Sequence, residues 1–189
     1  FVMTPLILIL LLLTNILVVI LISKVFYRKI EYVRHDREGV FHWDDKNRDF
    51  IDFFKRSFIL RYIKWKIQKS PFPWLIKPAF NFIGNCHFGK NTIIENSYIA
   101  KEYLDVGKNT YLGNALFANQ LWDKNLTIKS IVIGNSVEVL DNCCIAPGTE
   151  IGDNTTLLPL TVTSKSDKIA SNSIIHYPPL TKKIKKKIR

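Results

Sequence analysis

The sequence predicts an all-β class whose body is a parallel β-helix, preceded by a transmembrane helix and an amphipathic helix. Three observations predict it. From Phe82 to His176 an apolar or small residue recurs at every sixth position, broken once; glycine-led corners recur every eighteen residues; and Phe1 to Ile22 is nearly all apolar. A sixfold period suits neither an α-helix nor a plain alternating strand. It suits a prism in which each six-residue side supplies one inward residue and three sides make a turn.

At 189 residues the chain has room for one compact domain plus an extension. Residues 1–23 read as a transmembrane anchor, interrupted mainly by Thr4, Pro5, Thr14 and Asn15, because about 20 apolar residues suffice for a helix to cross a bilayer. No basic run precedes the stretch and no small-x-small cleavage pattern follows it, so an anchor is expected rather than a removed signal peptide. The chain opens on Phe1, so sequence is expected upstream, or the true start is Met3. Lys24, Arg28, Lys29 and Arg34 follow the span, and positive flanks stay cytoplasmic. A single pass with the β-helix on the cytoplasmic side is therefore expected. Asn15 either bonds between helices of neighbouring subunits or is tolerated singly.

Residues 24–80 read as a juxtamembrane amphipathic helix and a Pro-rich connector. Ile51, Phe54, Phe58, Tyr62 and Trp65 recur at three- and four-residue steps between Asp44 and Gln68. Asp44, Asp45, Asp49 and Asp52 crowd the N-terminal end and Lys64, Lys66 and Lys69 the other, as the helix dipole favours. With Arg56 and Arg61 on its flanks, the aromatic stripe either lies in the headgroup layer of an anionic membrane or caps the open end of the prism. One face can do each job. Pro71, Pro73 and Pro78 predict an extended connector, with Trp74 as an anchor.

Residues 81–178 read as the β-helix. Its inward places are Phe82, Phe88, Ile94, Ala100, Val106, Leu112 and Ala118, then Ile133, Val139, Ile145, Ile151, Leu157, Thr163, Ile169 and Ile175. Residues eighteen apart should stack, as Val106 on Phe88, Ile151 on Ile133 and Ile169 on Ile151. A second inward place four residues on is small or medium, as at Thr92, Thr110, Val137, Cys143, Thr149, Thr155, Thr161 and Ser173. The corners begin at Gly89, Gly107, Gly134, Gly152 and Ala170, where glycine and asparagine are expected to supply positive backbone angles. A β-sandwich would require so many residues to keep phase by chance. Ala118 and Ile133 lie fifteen positions apart instead of a multiple of six, so residues 119–132 are expected to leave the prism as a loop.

The sides FGKNTI, VGKNTY, IGNSVE, IAPGTE and IGDNTT resemble the hexapeptide-repeat acyltransferases, from about Phe80 to Arg189. The resemblance implies a left-handed β-helix, a homotrimer, and acyl-CoA as donor substrate. It also implies a catalytic histidine on a loop at the insertion, acting as the general base on an acceptor hydroxyl or amine that attacks a thioester. The sequence departs there. Where similar membrane-associated members show a Thr-His-Leu-like stretch, this chain has Asn119-Gln120-Leu121, and an amide is no base near neutral pH. Asp123 is the candidate base, provided burial raises its carboxyl. Trp122 either lines an acyl groove or closes the loop over the prism. Donor-binding places implied by the resemblance are Ala146 and Ser164, eighteen apart, with Lys182 and Lys183 meeting the nucleotide phosphates as point charges. Residues 177–184 resemble an eroded form of the family's Gly-x-Pro-Ala-Lys ending, with His176 at the glycine place.

Other chemistry is weaker in the sequence. His87 and His176 fall coils apart, His35 and His42 precede the repeats, and a three-histidine zinc set is not formed, so no metal is expected. Cys86, Cys143 and Cys144 are expected to be reduced, Cys143 inside and Cys144 facing outward. The basic tail, residues 179–189, suits anionic membrane lipid at about 1 kcal/mol per basic residue near the surface. No reading helix or RNA platform accompanies the formal charge of +11, so no nucleic acid is expected. The expectation is a membrane-anchored acyltransferase acting on a hydroxyl or amine of a lipid-linked or membrane-surface acceptor. The alternative, motivated by Gln120, is an inactive β-helix scaffold or regulatory subunit at the membrane.

Overall fold

The computed structural model describes residues 3–33, 38–42, 48–84, 86–99, 103–117, 119–122 and 124–176. The all-β expectation holds for the prism only. Helices α1 (Met3–Val33), α2 (Arg48–Gln68) and α3 (Ile76–Ile83) comprise 31, 21 and 8 residues. One strand, β1 (Gly39–His42), lies between the first two.

The strands then follow in chain order: β2 (Cys86–Phe88), β3 (Ile93–Ile94), β4 (Tyr98–Ile99), β5 (Leu104–Val106), β6 (Tyr111–Leu112), β7 (Leu116–Phe117), β8 (Gln120–Trp122), β9 (Asn125–Ile128), β10 (Ile131–Ile133), β11 (Glu138–Val139), β12 (Cys144–Ile145), β13 (Glu150–Ile151), β14 (Thr156–Leu157), β15 (Lys168–Ile169) and β16 (Ile174–Ile175). Three parallel sheets form the prism, in the orders β15-β13-β10-β5-β2, β16-β14-β11-β6-β3 and β12-β7-β4. The stacks Phe88–Val106, Ile133–Ile151 and Ile151–Ile169 pair in register as the spacing predicts.

On the third side the sixfold phase slips. The buried residues are Ile99 and Phe117, and Phe117 pairs with Ile145. The expected places Ala100 and Ala118 lie outside the described residues. Phe82 is not in the prism either; it is exposed on α3.

The corners divide their work differently from expectation. Positive φ falls on Asn91 (56°), Asn109 (55°), Ser136 (53°), Asn154 (54°) and Asn172 (58°), and on none of the glycines that open these corners. Those glycines serve close stacking: a Cβ on Gly89 would stand 2.7 Å from the Gly107 carbonyl carbon. Ala170 tops the column among the described residues. Where the second inward place is threonine, its hydroxyl bonds to the coil above. Thr92 Oγ1 donates to the Gly107 carbonyl at 2.9 Å, Thr110 Oγ1 to Gly134 at 3.0 Å and Thr155 Oγ1 to Ala170 at 3.1 Å, so a buried hydroxyl is satisfied.

The segment expected to be an extended connector is a 3-10 turn, Pro73–Leu75, leading into α3. Pro78 lies in the first turn of α3, where a missing N–H costs nothing. Ile76, Ala79, Phe80 and Ile83 then form a buried helical stripe. This helix is the cap. The Phe80 and Phe88 rings meet edge-on at 6.1 Å, Asn81 Nδ2 donates to the Phe88 carbonyl at 3.0 Å, and Phe88 N–H donates to Asn81 Oδ1 at 2.8 Å. The Asn81 amide thereby satisfies a strand edge that has no coil beneath it.

Two faces of α2 do two jobs. Leu60, Ile63 and Ile67 join the main core, while Phe54, Phe58, Tyr62 and Trp65 point outward, Phe58 69% and Trp65 55% exposed. Helix α1 buries Ile16, Ile20, Ser23 and Tyr27 on one side and continues past residue 23, where the anchor was expected to end. Its stretch Pro5–Tyr32 is long and apolar enough to cross a membrane, with mean hydropathy 3.1 and only 17% of the most apolar window buried. Between α1 and α2 runs a groove of about 650 Å³ lined by Phe26, Ile30, Phe54, Phe58 and Ile59, with Ser23 and Lys55 at its edge.

Candidate functional site

The expected loop is an ordered hairpin. Strands β8 and β9 pair antiparallel, and β1, from before α2, adds to the free side of β9 in the order β1-β9-β8. The alternation in Gly39-Val40-Phe41-His42 lets Phe41 turn inward while Val40 and His42 stay exposed. Phe41 and Tyr103 pack on a second core of Phe50 and Phe53 from α2 with Leu126 and Ile128 from β9. Ser130 N–H donates to Glu38 Oε1 at 2.7 Å, fixing the start of β1 at the base of the hairpin.

This addition brings a histidine to the insertion. The register aligns His42 with Asn125, and Asn125 with Trp122. His42 Nδ1 lies 3.3 Å from Asn125 Oδ1. With the proton on Nδ1 donated to that amide oxygen, Nε2 is the basic nitrogen, which is the arrangement a general base needs. The sequence reading set His42 aside because it precedes the repeats. The signal available was the short alternating run ending in His42, but nothing local says which strand it joins.

The other expected residues are placed as follows. Asn119 is half-buried at the base of β8. Gln120 lies within β8. Asp123, Lys182 and Lys183 fall outside the described residues. Ala146 and Ser164 belong to successive coils joined by the Cys144–Val162 bridge, and Ala146 N–H donates to Thr163 Oγ1 at 2.8 Å.

These corners meet the hairpin within one chain. Lys165 Nζ donates to Thr127 Oγ1 on β9 at 3.2 Å, and Lys129 Nζ to Ser166 Oγ at 3.0 Å. Gly148 N–H donates to the Ser130 carbonyl at 3.0 Å, and Ser166 N–H to the Pro147 carbonyl at 3.0 Å. Gly148 has φ +81°, and a Cβ there would meet Ser166 Oγ at 2.8 Å and Lys129 Cδ at 3.1 Å. Two ammonium groups thus line the corner column beside Ala146 and Ser164, next to the strand that holds His42.

The cysteines are thiols: Cys143 is buried and donates to the Leu158 carbonyl at 3.2 Å, and Cys144 is half-buried. Burial pushes both thiols above the ordinary cysteine range, which opposes formation of a reactive thiolate at Cys144.

No protein-family model and no curated protein matches the chain. Solved structures do. A galactoside acetyltransferase in complex with coenzyme A is 17% identical, covers 72% of this chain and 81% of its own, and superposes with a TM-score of 0.50. A hexapeptide-repeat-containing acetyltransferase from Vibrio cholerae O1 biovar eltor, complexed with acetyl coenzyme A, is 15% identical over 70% of this chain and 86% of its own, with a TM-score of 0.47. A maltose O-acetyltransferase from Clostridium difficile 630 is 16% identical over 82% of this chain and 81% of its own, with a TM-score of 0.42. On the first of these likenesses, the chain shares its fold with the galactoside acetyltransferase.

Proposed function

We propose that the protein transfers an acyl group from acyl-CoA to a hydroxyl or amine of a lipid-linked or membrane-surface acceptor, and that His42 is the general base. The position of His42 on the insertion hairpin, held through Asn125, carries this reading. Nε2 takes the proton of the acceptor as its oxygen or nitrogen attacks the thioester carbonyl. The carbon–sulfur bond then breaks, and the departing thiolate takes the proton from the imidazolium. Asn119, Gln120 and Asp123, all from the insertion between Ala118 and Ile133 in the sequence, serve acceptor positioning.

The donor lies along the corner column. Ala146 and Ser164 leave room for its pantetheine arm, and Lys129, Lys165, Lys182 and Lys183 supply positive charge for its phosphates. In a homotrimer, the groove closes against a neighbouring prism. Helix α1, the apolar groove beside α2 and the outward aromatic stripe support a membrane acceptor, with the prism on the cytoplasmic side as Lys24, Arg28 and Lys29 favour.

The test uses radiolabelled acetyl-CoA and the detergent-solubilised protein with vesicles of phosphatidylethanolamine, an amine acceptor, or of a glycosyl diacylglycerol, a hydroxyl acceptor. Label should pass into one lipid class, and His42→Asn should abolish it. A folded protein that binds no coenzyme A and labels no lipid is the scaffold instead.

A further inference from the structure

Lys64 is buried to 7% exposure on the core-facing side of α2, and among the described residues it has no hydrogen-bond or ion-pair partner. Its side chain lines a cavity of about 390 Å³ between α2 and the first coil, with Arg61, Trp65, Gln68, Asn96 and Tyr98. That volume lies within the range of small-molecule sites, roughly 300–1,000 Å³. Among the described residues no carboxylate lines the cavity, and Glu95 is hydrogen-bonded to Tyr111. Burial alone lowers the Lys64 amine to about 8, whereas a nearby carboxylate would raise it. Lys64 is therefore still largely charged at neutral pH. A partly desolvated ammonium with no counter-ion among the described residues gains by pairing with an anion.

The rest of the cavity suits an anion of defined shape. Arg61 lies over the Tyr98 ring at 5.4 Å, so a second cation is held at the wall. Gln68 Nε2 donates to Asn96 Oδ1 at 2.8 Å, which fixes the Asn96 amide with its own N–H groups still able to donate. Trp65 belongs both to the cavity and to the exposed aromatic stripe, where Tyr62 and Trp65 rings stand 6.2 Å apart and Phe58 and Tyr62 6.4 Å apart. Aromatic side chains of this kind seat at the level of lipid headgroups.

We propose that the cavity between α2 and the first coil binds a phosphate group, with Lys64 and Arg61 as its counter-charges and the Asn96 amide as a neutral donor. Its position beside the aromatic stripe makes the phosphate of an anionic lipid headgroup the favoured source, and a phosphorylated solute the other. This site is separate from the corner column and hairpin and does not depend on acyl transfer.

The test is calorimetric titration of the full-length protein in detergent with short-chain phosphatidylglycerol, short-chain phosphatidylcholine and inorganic phosphate. Saturable binding of phosphatidylglycerol, weakened at least tenfold in Lys64→Met and in Arg61→Gln, is expected. Lys64→Met removes a buried charge, so loss of binding there would not reflect unfolding; its thermal melt checks this. Binding of phosphatidylglycerol well above both other probes assigns the site to lipid, whereas inorganic phosphate binding equally well assigns it to a phosphorylated solute. No binding of any probe, or equal binding by wild type and Lys64→Met, overturns the proposal.

Discussion

His42 Nδ1 stands 3.3 Å from Asn125 Oδ1, so a strand from before the repeats delivers an imidazole to the hairpin that interrupts them. His42→Asn keeps a nitrogen in reach of Asn125 but has no basic nitrogen. Acyl transfer should fall about 10²–10⁴-fold, the typical contribution of a positioned base, while the thermal midpoint stays unchanged because the side chain is exposed. A parallel loss of stability would instead mark His42 as a structural residue.

The corner glycines predict a stability effect with a built-in control. Gly89→Ala places a Cβ 2.7 Å from the Gly107 carbonyl carbon, and overpacking of this kind costs about 1–3 kcal/mol. Ala170→Gly, at the top of the same column, should change stability by less than about 1 kcal/mol. Thermal or denaturant melts of the two variants compare them directly.

At the other end, Asn81→Ala removes both bonds that the amide makes with the Phe88 backbone. At about 1 kcal/mol for each bond, with more where a buried group is left unmatched, a loss of about 2 kcal/mol is expected in denaturant titration. Hydrogen exchange at the Phe88 amide should rise with it.

Lys64 predicts a pH dependence. Its folded-state affinity for protons is depressed to about 8 from 10.5, so between those values the unfolded chain binds more protons and stability rises with pH. At roughly 1.4 kcal/mol for each tenfold change in proton affinity, the charged amine costs about 3 kcal/mol below pH 8. Without a bound anion, Lys64→Met should therefore raise the thermal midpoint most at pH 7 and least as pH approaches 10.5. A gain independent of pH over that window would show that desolvation of the charge is not the cause.

Much of this fold was legible because the prism writes its geometry into spacing. Val106 must stack on Phe88 if both sit eighteen places apart with glycine at the intervening corner. On the third side the sequence offers two adjacent apolar or small candidates, and the structure buries Ile99 and Phe117, which the period alone does not pick. Pro71, Pro73 and Pro78 suggest an extended connector, but proline forbids a helix interior and not a first turn, and α3 begins two residues before Pro78. The two-faced helix α2 was readable as two competing uses of one aromatic pattern, since Leu60, Ile63 and Ile67 interleave with Phe58, Tyr62 and Trp65.

The candidate site was less legible for a physical reason. Ala146 and Ser164 follow from local spacing, but His42 reaches the hairpin through a strand pairing 83 residues away in sequence. Register of that kind is set by the half-buried Phe41 with the buried Leu126 and Ile128, not by any motif. Lys64 was visible only as one of several lysines at a helix end. Its burial follows from the packing of α2 on the first coil, not from its neighbours in the chain.

The central claim is that the corner column is a working acyl-CoA site, and calorimetric titration of the detergent-solubilised protein with coenzyme A and acetyl-CoA tests it most directly. Saturable binding is expected, weakened by the Lys182→Ala, Lys183→Ala double variant and blocked by Ala146→Trp, with Lys64→Met binding as wild type does. A folded protein that binds neither ligand contradicts it and leaves the prism as a membrane scaffold.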